Sequence, residues 1–394
     1  MKFSRFAQAL AGSSTMKATL KAQDLKSKGQ DIVIGTVGEP QENVEPKITQ
    51  ALVQYIENHA ARYSSSQGLL STRKVISQWF LKVYGTNYSP EEIIVTPGSK
   101  FGLYALMQIL CDTEDEVIIP APYWVSYITQ AKMAGAVPVI AMPDENYKLN
   151  GLTLKKVLTQ KTRLLILNSP NNPSGAVYSK TELQELYQVL KNYPNVAVIC
   201  DDIYNQLVHG TAERAASFLD FVDEDFKKRI FIVHGVSKSY AMTGWRMGWV
   251  AGPVEVIQKL NDFCGQTLTS IPDFIQKAAD VALTECDHYV TELKEKMTER
   301  HAFVQKKLAN LKSLSVYRSE GAFYIWIKLC DSSMNSAAVC EEILIAQGLA
   351  LVPGEAFGMP FHLRLSLTIS DSDIEKAVAK LVDFFSHRDS KTKV

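Results

Sequence analysis

Two cationic side chains eight positions apart, Lys238 and Arg246, are the residues of this chain best suited to covalent chemistry. The lysine follows an apolar run at residues 231–233, and its neighbours are small or aromatic. A lysine amine becomes a good nucleophile when desolvation or a nearby cation lowers its pKa, and it can then condense with an aldehyde. A fixed guanidinium binds a phosphate dianion. The pair therefore predicts a site for a phosphorylated aldehyde, and pyridoxal phosphate is such a cofactor.

The string around the lysine, SKSYAMTGWRMG at residues 237–248, is more specific than the pair alone. An isolated Ser-Lys pair usually lies on the solvated surface, because lysine is mostly exposed. The whole string resembles the lysine segment of class I/II aminotransferases of fold type I, the aspartate aminotransferase-like family. The resemblance implies that Lys238 binds pyridoxal phosphate covalently and that Ser237 and Arg246 bind its phosphate. Many relatives carry a serine where this chain has Gly235, so one phosphate hydrogen bond is expected to be missing.

A second phosphate-binding element is predicted at residues 97–100, where Pro-Gly-Ser-Lys follows an apolar strand and opens a helix. The first turn of a helix presents free N–H groups and the positive end of the helix dipole. The position matches the phosphate loop of the family, which implies phosphate contacts from Gly98, Ser99 and Lys100. The chain has neither a Walker motif nor a G-x-G-x-x-G motif at this turn, which disfavours ATP and NAD as ligands.

Four further residues are predicted to surround the cofactor ring. Asp201 ends an apolar strand, where a carboxylate is either solvated or neutralised by a proton or a cation. The resemblance implies that it keeps the pyridine nitrogen protonated, which makes the ring an electron sink. NSPNNPSG at residues 168–175 resembles the family pattern N-x-x-N-N-P-T-G, with serine in place of threonine. Asn172 and Tyr204 then hydrogen-bond the phenolate oxygen, and Trp124 stacks on the ring.

The resemblance implies substrate contacts from Trp124 and Asn172, and substrate or partner contacts at three other positions. Arg364, in an R-L-S context, matches the arginine that clamps the substrate α-carboxylate, and Gly38 matches a glycine whose backbone N–H approaches the same group. The segment after Gly38 reads Gln-Glu-Asn at residues 41–43, where the family has an acidic-aromatic-acidic string, so the pocket entrance is expected to differ. Tyr63 matches a tyrosine that reaches the phosphate of the other subunit, which implies a homodimer with shared sites.

The elements that position these residues are strands and helices in alternation from residue 93 onward, a pattern typical of βαβ units. The matching motifs occur in the family's order across residues 32–368. They imply fold type I of the pyridoxal-phosphate enzymes, an α/β fold. We expect a large domain at residues 48–285 with a mostly parallel mixed sheet in an α/β/α sandwich. A smaller α+β domain would be made of residues 1–47 and 286–394.

Composition narrows the functional classes. Forty-two basic and forty-two acidic residues balance to zero without a basic stripe, which disfavours nucleic acid as a partner. The six cysteines form no C-x-x-C pair, so we expect reduced thiols in a cytoplasmic protein. Neither the cysteines nor the seven histidines have the spacing of metal ligands, so no metal is predicted. No apolar stretch has the length of a membrane span or a signal peptide.

The resemblance implies an aminotransferase that moves an amino group from an L-amino acid to a 2-oxo acid by a ping-pong mechanism through pyridoxamine phosphate. Aspartate and 2-oxoglutarate are the predicted substrates. Two alternatives remain open at this stage. A C-S lyase or related elimination enzyme can use the same scaffold. A non-catalytic regulator is less favoured, because it would carry an additional DNA-binding module and only about 30 residues precede the first predicted strand.

Overall fold

The computed structural model of the protein describes residues 1–3, 7, 10, 12, 14–60, 62–331 and 334–391. Its strands are β1 (Val33–Ile34), β2 (Ile93–Thr96), β3 (Glu116–Pro120), β4 (Val137–Ala141), β5 (Thr162–Asn168), β6 (Ala197–Asp201), β7 (Ile230–Gly235), β8 (Gly248–Ala251), β9 (Leu314–Val316), β10 (Tyr324–Leu329), β11 (Leu349–Ala350), β12 (Val352–Pro353) and β13 (His362–Ser366).

Its α-helices are α1 (Ser14–Ser27), α2 (Pro46–Asn58), α3 (Leu70–Tyr84), α4 (Ser99–Leu110), α5 (Ser126–Met133), α6 (Gly151–Val157), α7 (Lys180–Leu190), α8 (Glu224–Lys227), α9 (Val254–Thr267), α10 (Asp273–Glu285), α11 (Asp287–Leu308), α12 (Ser336–Gln347) and α13 (Asp371–Lys391). Short 3-10 helices occupy Pro90–Glu92, Phe218–Asp220, Thr243–Trp245 and Gly354–Phe357.

The central sheet has seven strands in the order β2-β8-β7-β6-β5-β3-β4. Strands β3 to β7 pair in parallel, whereas β8 runs antiparallel to both β2 and β7. Strands β2 and β7 therefore point the same way, although β8 lies between them. The chain segments that follow β2, β5, β6 and β7 consequently leave the sheet at one edge, where α/β proteins commonly bind ligands.

Both faces of this sheet are covered, because neighbouring residues of its strands enter two different apolar clusters. Ile94 of β2 packs with residues of α4, α5 and α9, whereas Val95 packs with residues of α3 and α10. Strand β5, TRLLILN, is apolar along most of its length, as expected for a strand buried on both faces. The predicted α/β fold with a mostly parallel mixed sheet is confirmed.

A four-stranded antiparallel sheet, β12-β13-β10-β9, and a two-stranded parallel sheet, β1-β11, lie outside the central sheet. Strand β13 carries Arg364, which faces Trp326 of β10 in the register. Buried side chains of the central and four-stranded sheets belong to one continuous apolar cluster. The domain boundaries at residues 47/48 and 285/286 stay a prediction. No helix in the described part of the chain is both long and apolar enough to cross a membrane.

Candidate active site

The edge of the central sheet where β2, β5, β6 and β7 end borders a pocket of about 490 Å³. The pocket brings together residues that the sequence analysis proposed from widely separated motifs. Those that line it are Gly38, Ser99, Lys100, Trp124, Asn172, Asp201, Tyr204, Ser237, Lys238, Arg246 and Arg364. Gly98 lies against the side chain of Arg246, which lines the pocket, whereas Tyr63 borders a different groove.

Lys238 follows β7 and is partly buried, with its amine inside the pocket. Its Nζ donates a hydrogen bond to the backbone oxygen of Gly38 at 2.8 Å. The pKa of this lysine is lowered to about 8, first by burial and also by the charges of Arg246 and Arg364, against the opposing charges of Glu39 and Asp201. The amine therefore reaches its neutral, nucleophilic form close to physiological pH.

Arg246, Gly98 and Gly248 form a compact anion-binding corner. Arg246 adopts a left-handed backbone conformation, with φ 57°, and its Nη1 donates to Thr243 O at 2.8 Å. Gly98 has φ 80° and caps the N-terminus of α4. A Cβ atom on Gly98 would lie 2.7 Å from Arg246 Nη2, and one on Gly248 would lie 2.6 Å from the Ser99 backbone nitrogen. Glycine at both positions thus lets the guanidinium and the first turn of α4 approach each other.

Lys100 and Trp124 line the pocket beside this corner. The Lys100 Nζ atom lies 4.8 Å from the centroid of the Trp124 ring, a cation-π distance. Burial and the charge of Arg246 lower the pKa of Lys100. The side chain of Lys100 therefore lies over the indole, while its backbone belongs to the first turn of α4.

Asp201, the last residue of β6, is almost fully buried. Its Oδ2 accepts a hydrogen bond from the Tyr127 hydroxyl at 2.6 Å. Its Oδ1 is buried and has no hydrogen-bond partner among the described residues. Burial raises the pKa of this carboxyl to about 6, although Tyr127, the Ile203 backbone and Lys238 oppose the shift.

The asparagine loop after β5 connects Asp201 with Arg364. Asn168 Nδ2 donates to the Asp201 backbone oxygen at 2.8 Å, and its Oδ1 accepts from the Asn172 backbone N–H at 2.8 Å. Arg364 donates from Nη1 to Asn172 Oδ1 at 3.0 Å and from Nη2 to Thr36 O at 2.6 Å. These bonds fix the guanidinium plane, and the buried Nε has no partner in the described structure.

Tyr204 lies beyond the end of β6, and its hydroxyl is 2.8 Å from the hydroxyl of Tyr324. Both phenols are buried.

Ser237 is also buried, and its backbone oxygen accepts a hydrogen bond from Thr243 Oγ1 at 2.9 Å. This bond ties the residue before the lysine to the turn that carries Arg246.

Tyr63 is the predicted residue that this chain does not bring into the pocket. Its side chain is 88% exposed and borders a separate groove of about 740 Å³ near Tyr55, Ile56 and Phe274. Its proposed role requires a second subunit, so it stays a prediction.

Sequence reasoning missed two residues that organise the pocket, Tyr127 and Tyr324. Tyr127 belongs to an aromatic cluster after β3 that is usually interpreted as core. Tyr324 belongs to an alternating strand pattern. The available signal was an aromatic side chain next to the start or end of a strand beside a predicted site. That signal does not distinguish an aromatic residue of the core from one that lines a pocket.

The described residues fit pyridoxal phosphate at three points. Lys238 supplies a buried amine with a lowered pKa. The corner of Gly98, Ser99 and Arg246 supplies N–H donors and a cation for a phosphate. The unpartnered Oδ1 of Asp201 supplies an acceptor for a protonated ring nitrogen. The pocket thus holds complementary groups for the aldehyde, the phosphate and the pyridine ring.

Comparison with known proteins agrees with this chemistry. The family model for aminotransferase class I and II matches residues 34–381. An aspartate aminotransferase of Geobacillus stearothermophilus is 33% identical over 98% of this chain and 100% of its own length. An aspartate/prephenate aminotransferase of Nitrosomonas europaea is 33% identical, with the same coverage of both chains.

The solved structure of aspartate aminotransferase from Thermus thermophilus with maleate superposes with a TM-score of 0.91. It is 31% identical and covers 97% of this chain and 99% of its own. Because these matches cover nearly the whole of each chain, they indicate a shared fold and not only a shared motif. The chain therefore belongs to the aminotransferase class I and II family and is a pyridoxal-phosphate-dependent aminotransferase.

Proposed function

We propose that this enzyme transfers the amino group of L-aspartate to 2-oxoglutarate. The observation that carries the proposal is the placement of the Lys238 amine in one pocket with two arginines, Arg246 and Arg364. One arginine is available for the cofactor phosphate and the other for the substrate α-carboxylate. The relatives named as aspartate aminotransferases support the choice of substrate.

The residues that would hold pyridoxal phosphate are those of the sequence prediction. Gly98, Ser99, the backbone N–H of Lys100, Ser237 and Arg246 would bind the phosphate, with Tyr63 of a second copy. Trp124 would lie against the ring, Asp201 would bind the ring nitrogen, and Asn172 and Tyr204 would bind the phenolate oxygen. When bound, the cofactor supplies an aldehyde for condensation with amines and a ring that withdraws electrons from the amino-bearing carbon.

The chain's own groups perform the remaining tasks. Arg364 and the Gly38 backbone orient the α-carboxylate, which places the substrate Cα next to the amine of Lys238. With its pKa near 8, Lys238 Nζ accepts the Cα proton as a base and returns a proton as an acid. Asp201 remains ionised beside a cationic ring nitrogen, because the opposite charge offsets the cost of burying the carboxylate.

Preference for a dicarboxylic substrate follows from the distribution of cations. Four cationic side chains line the described part of the pocket: Lys100, Lys238, Arg246 and Arg364. After the proposed phosphate, carboxylate and proton-transfer roles are assigned, the amine of Lys100 is left to pair with the second carboxylate. An acidic substrate would neutralise this amine, whereas a neutral side chain would leave it without an anion.

A steady-state panel of amino donors tests this proposal. Aspartate, glutamate, alanine, phenylalanine and leucine are compared with 2-oxoglutarate as acceptor, and prephenate is included as an alternative acceptor. We expect the highest kcat/KM for aspartate. A Lys100→Met variant should lose about 10- to 100-fold in kcat/KM for aspartate and little for alanine, since one charge-assisted hydrogen bond is removed. Preference of the wild type for a neutral donor would contradict the aspartate assignment.

The products released without an amino acceptor distinguish transfer from elimination. A transferase mixed with aspartate alone produces one equivalent of 2-oxo acid and stops until an acceptor is added. An elimination enzyme needs a leaving group on Cβ, so with an S-substituted cysteine it would release the thiol and ammonia continuously without an acceptor. We expect the stoichiometric result.

We also propose a homodimer with shared sites. The exposed Ile56 of α2 lines the groove that Tyr63 borders, and the exposed Val53 lies about one helical turn before it on the same helix. Apolar patches of this kind are characteristic of protein interfaces. The groove and the exposed phenol support a second copy of the chain as the occupant. Localisation in the cytoplasm stays a prediction.

A further inference from the structure

Tyr324 lies between the two halves of the pocket, and no role has been assigned to it so far. Its hydroxyl oxygen is 2.8 Å from the Tyr204 hydroxyl oxygen, on the side proposed for the cofactor. Its ring faces Arg364, whose guanidinium carbon is 4.6 Å from the ring centroid, on the side proposed for the substrate carboxylate. Because Tyr324 is the first residue of β10, the backbone of a paired strand fixes its position.

The hydrogen bond between the two phenols acquires a direction under the proposed function. Either hydroxyl can be the donor when only the pair is considered. A phenol has one proton to donate. If Tyr204 donates that proton to the phenolate oxygen of the cofactor, it can only accept from Tyr324. Accepting a hydrogen bond polarises the Tyr204 hydroxyl and strengthens its own donation.

The ring of Tyr324 forms one side of an aromatic enclosure around Arg364. Phe357 lies on another side, with 5.1 Å between the guanidinium carbon and its ring centroid. A cation between aromatic rings in a desolvated site is held more strongly than one at the surface. The charge of Arg364 also lowers the pKa of the Tyr324 phenol against the larger, opposite effect of burial.

Gly38 provides the space that this arrangement requires. A Cβ atom at position 38 would collide with the Tyr324 hydroxyl. The Gly38 backbone oxygen accepts from Lys238 Nζ at 2.8 Å. The phenol therefore lies against the loop that contacts the reactive amine.

We propose that Tyr324 is a positioning residue with two separable functions. Its hydroxyl strengthens the hydrogen bond that Tyr204 donates to the cofactor, and its ring holds the Arg364 guanidinium in place for the substrate carboxylate. The inference rests on the proposed function, because the donor direction requires Tyr204 to bind the cofactor oxygen.

The hydroxyl function is tested with Tyr324→Phe by pH titration of the absorbance of the holoenzyme. The hydrogen bond stabilises negative charge on the cofactor oxygen. In the holoenzyme, a proton on the Lys238 nitrogen that is bonded to the cofactor partly neutralises that charge, so the hydrogen bond stabilises the cofactor most after this proton is lost. Removing the hydroxyl should therefore raise the titration midpoint, by about 0.5 to 1 pH unit for one neutral hydrogen bond.

Two controls show whether the shift of the titration midpoint is specific to Tyr324 and depends on Tyr204. Tyr178→Phe removes another buried phenol hydroxyl, one that accepts the Leu149 N–H at 2.7 Å, and should leave the midpoint unchanged. In a Tyr204→Phe background the additional Tyr324→Phe change should cause no further shift, because Tyr324 acts through Tyr204.

The ring function is tested by the affinity of the holoenzyme for maleate, a dicarboxylate. Tyr324→Phe keeps the ring and should retain the wild-type dissociation constant within about twofold. Tyr324→Leu removes the ring and should raise that constant on the order of 10-fold, since a desolvated cation-π contact is lost. Thermal unfolding of each apoprotein shows whether the variants fold, and Tyr324→Phe alone carries the test if the leucine variant does not.

The inference is overturned if the midpoint of Tyr324→Phe coincides with that of the wild type. It is also overturned if the shift persists in the Tyr204→Phe background, or if a folded leucine variant binds maleate like the wild type. A wild-type protein that acquires no pH-dependent absorbance with pyridoxal phosphate overturns the proposed function instead.

Discussion

Lys238 and Gly38, two hundred positions apart in sequence, are joined by a hydrogen bond of 2.8 Å from the lysine Nζ to the glycine backbone oxygen. The segment that follows β1 therefore covers the amine that follows β7. Gly38 was predicted as a substrate-binding residue and Lys238 as the covalent residue. Their contact shows that the segment between β1 and α2 lies at the Lys238 amine, so the predictions for the two residues can be tested together.

Replacement of the lysine tests the covalent role most directly. Lys238→Ala should lower transamination by at least about 10⁴-fold, since both the nucleophile and the acid-base group are lost. Borohydride reduction of the holoenzyme followed by peptide mapping should label Lys238 in the wild type. The surface variant Lys180→Ala should keep full activity and the same label. Label on another residue would refute the assignment.

Arg364→Lys tests the carboxylate clamp. Lysine retains the charge but cannot reproduce the planar fork that bonds Asn172 and Thr36. We expect the dissociation constant for maleate to rise about 10- to 100-fold, with a smaller change in cofactor affinity. Arg318→Lys, at an exposed position, is the matched control. Equal affinities in both variants would exclude Arg364 from carboxylate binding.

Gly98→Ala tests the role of the anion-binding corner in binding the cofactor phosphate. The new methyl group would lie 2.7 Å from Arg246 Nη2, so the guanidinium must move. Gly85→Ala is the control, because Gly85 also has a positive φ, 66°, but has open space around it. Gly85→Ala should lose about 1 kcal/mol of unfolding free energy from backbone strain, and Gly98→Ala should lose more, because φ 80° and ψ 160° are essentially restricted to glycine. Only Gly98→Ala should lose cofactor affinity, by at least about 10-fold. Fluorescence titration of the apoproteins with pyridoxal phosphate would measure this difference.

Tyr63 predicts complementation between inactive subunits. Lys238→Ala and Tyr63→Leu are expected to damage different halves of a shared site, so a mixed dimer contains one intact site. An equimolar, re-equilibrated mixture should recover about one quarter of the wild-type sites at low cofactor concentration. Activity equal to the mean of the two parent variants would indicate that Tyr63 serves its own subunit or none.

Asp202 predicts a pH-dependent stability of the apoprotein. Burial raises the pKa of this carboxyl to about 7, although the hydrogen bond from Tyr84 opposes the shift. The native state thus binds the proton more tightly than the unfolded state, so this contribution to stability is complete below about pH 4 and is lost as the pH rises through about 7. Asp202→Asn should therefore gain unfolding free energy relative to the wild type between these pH values. Urea unfolding across this range measures the difference, and the surface variant Asp225→Asn should show none.

The sequence predicted the strands and the site residues where local patterns carry the information. The apolar run of β6 ending in Asp201 and the asparagine loop are local signals. The alternation of apolar and polar residues at 319–326 predicts a strand over that range, which begins only at Tyr324 in the structure. Its first residues bond elsewhere: the N–H groups of Glu320 and Gly321 both donate to Gly175 O, at 2.9 and 3.0 Å. Alternation of apolar residues does not reveal such a tertiary partner.

The contacts of Tyr127 and Tyr324 were unpredictable for the same reason. Their hydroxyl partners, Asp201 and Tyr204, lie 74 and 120 positions away. A phenol in an apolar run is consistent with simple core packing, and only the three-dimensional arrangement identifies its partner.

The antiparallel strand β8 lies between β2 and β7 and therefore determines the distance between the anion-binding corner and Lys238. The turns after β2 and β7 lie two strand spacings apart, roughly 10 Å across the sheet. The backbone of the sheet determines this distance, so substitution of side chains in the pocket does not change it. Substitutions in the pocket wall are therefore expected to change which amino acid is accepted, while the distance available to a cofactor between the two turns stays constant.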